Sequence, residues 1–439
     1  MGLLRYLSEA QAELTAMGEE FACIENAPGV FPPREIVPLG AKFSHLDGPP
    51  AAIFLDMDGT TTYTEPLFLH DVEEVVRRGT GWKTKSAWAG INPEQDYPNI
   101  VGYSTQRNLE YLYASVGHAI RPDLFFDETM KALIFLAERD VPEDIRTRVD
   151  TMTRTFGMET WPRHAGDPAR RGVESDALIR EAMLRYPSVG QEMFAQFGLM
   201  IFYADYIDIL ERVNRGEGAA VSEMIYGDPA VPAINAMPGV ALLCALAKGW
   251  LPESCAPELA RAVRNAHPDM SLADDLPETL ATLCRAFRDN PVPVALVTSS
   301  GSFETNLVLQ AVFLAMREEV AVWEIDGDAR SRILVGFESH RSFFDTIVTC
   351  DDVIEGRTKP YRDPYTLALA RLGLDGRHAP RVIGFEDTEA GITAQRGAGV
   401  GIPCAVPIAH TLSQDFSGAA YVLRDGVLEA IVRHGLFMR

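Results

Sequence analysis

Apolar residues along this chain fall into two kinds of pattern. Ala51-Ala52-Ile53-Phe54-Leu55, Pro293-Val294-Ala295-Leu296-Val297 and Arg381-Val382-Ile383-Gly384-Phe385 are short continuous runs with no polar alternation. Thr346-Ile347-Val348-Thr349 is a weaker run of the same kind. Such runs predict strands covered on both faces, as in parallel sheets. Between them, apolar positions at helical spacing predict helices over about 303–317, 363–373 and 388–398. Strand and helix in alternation predict a doubly wound α/β domain, whose ligands bind at the carboxyl ends of the strands.

The stretch from about 73 to 276 reads differently. It carries helical patterns at 105–115, 128–138 and 175–185 and no comparable series of buried strands, so it is expected to be an inserted, mostly helical domain. Leu3, Leu4, Leu7, Ala10, Leu14 and Met17 predict an amphipathic helix over 3–25, followed by a loop with Pro28, Pro32, Pro33 and Pro38. The expected organisation is an N-terminal helical extension (1–48), a core formed by 49–72 and 277–439, and the insertion (73–276).

Composition narrows the classes. The 439 residues exceed one simple core, and 47% hydrophobic with 23% charged residues is ordinary for a globular protein. A net charge of −22 argues against nucleic acid and anionic membrane surfaces as partners, and requires any phosphate site to carry its own local positive charge. The six cysteines include no Cys-x-x-Cys pair, which predicts reduced thiols and a cytoplasmic location. No signal-like pattern follows Met1. The apolar stretch at 237–247 is interrupted by Pro238 and Gly239 and is too short to span a bilayer.

The chemistry gathers where the buried runs end. The first is followed by Asp56-Met57-Asp58-Gly59-Thr60. Two carboxylates there are costly to bury unless a cation shares the site, and Mg²⁺ suits a few oxygen ligands plus a phosphate. An Asp at a strand tip can attack phosphorus, and a second one can move protons for the leaving group and for water. An acidic turn that only caps the strand is the other reading. The second run leads into Thr298-Ser299-Ser300-Gly301, either a phosphate cradle of hydroxyls and amides or a helix cap. Lys359-Pro360 follows, either a neutralising charge or a solvated one. The last run ends in Glu386-Asp387-Thr388, a second acid pair that is either metal-binding or an N-cap.

Taken in order, these motifs resemble the haloacid dehalogenase superfamily, in particular its β-phosphoglucomutase-like phosphatase branch. Asp56-x-Asp58-Gly59-Thr60, Thr64-Glu65-Pro66-Leu67, Phe343 to Val348 with Asp351-Asp352, Lys359-Pro360-x-x-Asp363-Pro364 and Glu386-Asp387-Thr388-x-Ala390-Gly391-Ile392 carry the likeness over about 49–70 and 285–425. It implies that Asp56 is the nucleophile and a metal ligand. Asp58 would be the general acid/base, with its backbone carbonyl on Mg²⁺. Thr298 would hold the transferring phosphoryl group and Lys359 would balance its charge. Glu386 and Asp387 would complete the metal shell, and Gly59, Thr60 and Ser299 would line the phosphate. It also implies a cap domain that excludes water and selects a small phosphorylated metabolite.

The pattern departs from that branch in three places. The insertion between Asp58 and Thr298 is far longer than the usual helical cap. The interval from Thr298 to Lys359 has an excess around 318–340, and the first 48 residues have no counterpart in the family core. Val101-Gly102-Tyr103-Ser104-Thr105 resembles the branch's substrate loop, which makes Arg107 a candidate for a substrate anion; an arginine on a solvated helix face is the equal alternative. Mutases of the branch follow the hydroxyl motif with Lys-Asn and place a histidine twelve residues after the nucleophile. Here those places hold Gly301, Ser302 and Phe68. The resemblance therefore favours a phosphatase over a phosphosugar mutase, with a catalytically idle binding or scaffold protein as the reading from another class.

Overall fold

The computed structural model describes residues 20–26, 31–100, 105–155, 168–354 and 356–439, and only the backbone at 98, 144 and 168–176. The described chain opens with an antiparallel hairpin, β1 (Phe21–Glu25) against β2 (Arg34–Pro38). The helix expected over 3–25 is thus a strand at its described end, and 3–19 lie outside the described residues. The reason is a period of two: Phe21, Cys23 and Glu25 face out while Ile24 is buried. No helix occurs between 20 and 48 among the described residues.

The chain then enters β3 (Ala52–Leu55) and a short strand β4 (Thr62–Tyr63). After a long excursion it returns through β5 (Asn235–Ala236), which pairs antiparallel with β4. The remaining strands are β6 (Val294–Val297), β7 (Thr346–Val348), β8 (Val382–Glu386), β9 (Ile402–Ala405) and β10 (Tyr421–Val422). Together with β3 they form one parallel sheet in the order β10-β9-β8-β3-β6-β7. The expected doubly wound α/β core is present. Every residue of β3, β6, β8 and β9 is buried, so both faces are covered.

On one face Phe54 stacks on Tyr365, and Ala52, Ala295, Val297, Val348, Ala368, Leu369 and Ala394 close the core around them. The helices Asp363–Arg371 and Glu389–Gly397 supply that layer. Each fully buried large aliphatic or aromatic side chain is worth about 1.5–3 kcal/mol, which makes the strand tips a stiff platform for charged groups. The excess around 318–340 is the end of the helix Ser302–Ala321 and a further helix, Gly327–Gly336.

Contacts divide the chain into two compact units, one ending at Tyr63 and resuming at Ile234, the other Thr64–Ala233. The core therefore takes 234–276 as well, and the helical unit takes 64–72; the expected limits of 73 and 276 shift accordingly. The physical reason is packing. The helix Val240–Ala247 is buried along its whole length and packs on Leu276–Asp289 and Gly426–Val432. In the helical unit, Glu65–Thr80, Thr105–Val116 and Pro122–Ala137 pack around Gln191–Arg212, with Phe125 on Phe194 and Phe126 on Phe197. The stretch Gln191–Tyr226 is long and apolar enough to cross a membrane, and 72% of its most apolar window is buried within the protein.

Candidate active site

The parallel strands, numbered along the chain, lie in the order 3-2-1-4-5-6, so the direction of winding reverses between β3 and β8. In open α/β sheets the crevice at that switch point is where ligands bind. Asp56 follows β3 directly, and Glu386 is the last residue of β8. Asp56 N–H donates to Phe385 O at 3.1 Å, which extends the ladder and fixes the two tips side by side.

After Asp56 the backbone folds into a tight loop. Thr61 Oγ1 donates to Asp56 O (2.5 Å), Thr61 and Thr62 N–H donate to Met57 O, and Gly59 N–H donates to Thr62 O. Gly59 sits at φ +76°, and a Cβ there would come within 2.5 Å of Asp387 Oδ2. Both the backbone sign and the approach of the acid call for glycine. The Thr60 hydroxyl is buried and has no hydrogen-bond partner among the described residues.

Lys359 is the electrostatic centre of the site. Its Nζ, on a side chain only 6% exposed, donates to Asp56 Oδ1 and to Glu386 Oε1. Burial works against its charge, but Asp56 and Glu386 outweigh it and hold the ammonium well above the ordinary lysine range. Asp56 responds the other way: burial, then the Glu386 charge, push its carboxyl up to about 8, with Lys359 pulling it down. Glu386 Oε2 accepts from Thr388 N–H (3.2 Å) and Oγ1 (3.1 Å). The carboxylate folds back over the start of the helix Glu389–Gly397, where any Cβ at Gly391 would fall on it.

Asp56, Glu386 and Asp387 bring carboxylate oxygens within 4.8 Å of one another, all three residues buried. Among the described residues this is the one group so arranged. Asp56 and Glu386 share the Lys359 ammonium, and burial first, then the Glu386 charge, keep the Asp56 carboxyl raised. An all-oxygen donor set of three clustered carboxylates fits a hard divalent cation such as Mg²⁺. Asp58 stands outside this group. Its Oδ2 accepts from Ser300 Oγ (3.1 Å) and its Oδ1 lies 3.4 Å from Thr62 Oγ1.

Thr298 is buried just past β6, held by its N–H to Val348 O (2.9 Å), and its Oγ1 accepts from Ser300 N–H (3.0 Å). Of the two following serines, Ser299 is exposed and Ser300 reaches Asp58. Arg107 is exposed on the helix Thr105–Val116, in the helical unit; 101–104 of its loop lie outside the described residues. Two residues not anticipated complete the cluster. Tyr365 donates its hydroxyl to Glu386 Oε1 (3.3 Å) and accepts from Gln395 Nε2 (3.3 Å), while its ring lies 5.5 Å from Lys359 Nζ. Ser300 was visible only as one of two adjacent serines, and Tyr365 only as a residue within the helix expected over 363–373.

No protein-family model and no curated protein matches the chain. Several solved structures are similar at low identity. CbbY from Rhodobacter sphaeroides in complex with phosphate is 16% identical, covering 88% of this chain and 99% of that one, with a TM-score of 0.41. A HAD hydrolase of family IA, variant 3, from Entamoeba histolytica is 14% identical, with coverages of 88% and 99% and a TM-score of 0.36. A haloacid dehalogenase-like protein of unknown function from Agrobacterium tumefaciens is 13% identical, with coverages of 87% and 97% and a TM-score of 0.37. These are distant likenesses of fold. One doubly wound sheet carries the aspartate pair after β3, the hydroxyl after β6, the buried lysine after β7 and the acid pair at the end of β8.

Proposed function

We propose that the chain is a Mg²⁺-dependent phosphatase of small phosphomonoesters that works through an aspartyl-phosphate on Asp56. The observation that carries this reading is the buried Lys359 shared between Asp56 and Glu386 at the switch point, with Asp387 alongside. Phosphoryl transfer needs positioning and charge neutralisation above all, and these are the groups gathered here.

In the proposed reaction Asp56 attacks phosphorus and the ester P–O bond breaks, with Asp58 giving its proton to the leaving alkoxide. Water then attacks the aspartyl-phosphate. Asp58 takes the water's proton, inorganic phosphate leaves and Asp56 is restored. The Ser300 hydrogen bond keeps Asp58 turned towards the hydroxyl loop. Thr298 and the neighbouring amides orient the phosphoryl oxygens, and Lys359 offsets their charge. Asp56, Glu386 and Asp387 would hold Mg²⁺, which supplies further neutralisation of the transferring group. Asp58 would add its backbone carbonyl as a ligand.

Hydrolysis is favoured over phosphoryl return to a sugar. Where the mutases carry a Lys-Asn pair, Ser302 gives its N–H and Oγ to Asp351 (both 2.7 Å) and Gly301 adds no charge. Where they carry a histidine, Phe68 packs edge-on against Phe202. The test is a panel of sugar and other small phosphomonoesters assayed for both products. Phosphate release should require Mg²⁺, vanish in excess EDTA and return poorly with Ca²⁺, which prefers more and longer ligands. Full turnover in EDTA would remove the metal from the account. Isomerisation of glucose 1-phosphate outpacing phosphate release would replace hydrolase by mutase.

A further inference from the structure

The N-terminal hairpin and the residues flanking it are tied to both elements that form the charged cluster. Arg396, in the helix that follows Glu386-Asp387, is 2% exposed. It donates to Gly40 O (2.7 Å) and pairs with Glu20, while Gly40 N–H returns a bond to Arg396 O (2.8 Å). At Gly397, Val37 of β2 and Arg362 both come within van der Waals reach of a built Cβ.

The other end of the hairpin grips the segment that carries Lys359, on both sides of the lysine. Arg357 Nη1 meets both oxygens of Glu35 at 2.9 and 3.0 Å, and its Nε and Nη2 take Asp363 at 3.2 and 3.0 Å. Tyr361 donates its hydroxyl to Asn26, and the Arg357 guanidinium lies 4.2 Å from the Tyr361 ring. Asn26 is itself held by Nδ2 to Pro32 O (2.6 Å) and by N–H to Pro33 O (3.0 Å). A planar guanidinium saturated by two carboxylates fixes orientation as well as distance.

We infer that the hairpin is a strap that positions Lys359: Glu35 and Asn26 fix Arg357 and Tyr361, and thereby the register of the lysine against Asp56 and Glu386. These are positioning residues, since none of them touches the reacting atoms. The catalytic part of this inference rests on the proposed phosphatase activity; the mechanical part does not.

The test uses Glu35→Gln, which keeps shape and removes charge, and Tyr361→Phe, which removes one hydroxyl. Each should lower kcat about tenfold or more with KM moved less than about twofold, because a displacement well under 1 Å is enough to weaken a neutralising charge. In a Lys359→Ala background the same changes should cost nothing further, since they act only through the lysine; additive losses would overturn the inference. Hydrogen exchange provides a readout that needs no substrate. The amides of Arg357 and Tyr361 should exchange faster in Glu35→Gln while those of β3 stay as in the wild type. Unchanged exchange at 357–361 overturns the strap even if activity falls. If the wild type turns over no phosphomonoester, the functional reading fails and the exchange result alone decides the strap.

Discussion

Asp56→Asn is expected to lower turnover by on the order of 10³-fold or more, a loss of roughly 4 kcal/mol of transition-state stabilisation, because an amide is no useful nucleophile toward phosphorus. The fold should survive, and the metal-free variant should gain on the wild type as pH rises. The sign follows from the raised carboxyl of Asp56. Its folded value is about 8 against an ordinary 3.8, so between those values the folded protein holds a proton that the unfolded chain releases. The stability this group contributes is greatest below about pH 4 and is lost as pH climbs towards 8. Asparagine cannot ionise. The difference in Tm, variant minus wild type in EDTA, should therefore grow from about pH 4 to 8 and level off above. A flat difference would refute the electrostatic account of the cluster, and a variant with a tenth of wild-type kcat would refute the nucleophile.

Lys359→Ala should have a comparable effect, with a different signature. Removing the ammonium leaves Asp56 and Glu386 as buried carboxylates without their shared counter-charge. Breaking such a pair typically costs about 3–5 kcal/mol of stability, and the penalty should be larger at pH 8 than at pH 5, where a proton on Asp56 relieves it. The catalytic loss should be at least about 10²-fold and should persist at any Mg²⁺ concentration. Raising the metal should instead partly restore Asp387→Ala, whose defect lies in the metal shell. Recovery of Lys359→Ala by Mg²⁺ alone would mean that the lysine contributes only charge and not position.

Much of this site could be read from short-range pattern. The four apolar runs became β3, β6, β7 and β8, and the functional groups stand at or after those strand ends, because a buried run that stops at polar residues marks where a parallel sheet meets solvent. Strand β9 was not legible: Pro403 sits inside it, and proline ordinarily demotes a strand. The hairpin was hidden for a related reason. Helical spacing up to Met17 invited extension through 21–25, and the prolines at 32, 33 and 38 read as loop although β2 runs among them.

Contacts between residues far apart in the chain left no local trace. Nothing near Glu35 announces Arg357, nothing near Ser300 announces Asp58, and Tyr365 has the spacing of a core aromatic while also holding Glu386. The limits of the insertion were misplaced because the helix Val240–Ala247 is as apolar as any helix in the insertion. Only its packing partners assign it to the core.

The central claim is that Asp56 becomes covalently phosphorylated. The most direct measurement is mass spectrometry of enzyme quenched in acid during turnover of a phosphomonoester with Mg²⁺, with the peptide carrying Asp56-Met57-Asp58 examined for a phosphoryl group. The account predicts a phosphoryl adduct on Asp56 that appears with substrate, decays as substrate is exhausted and is absent from Asp56→Asn. Turnover at full rate with no adduct, or an adduct on any other residue, would contradict it.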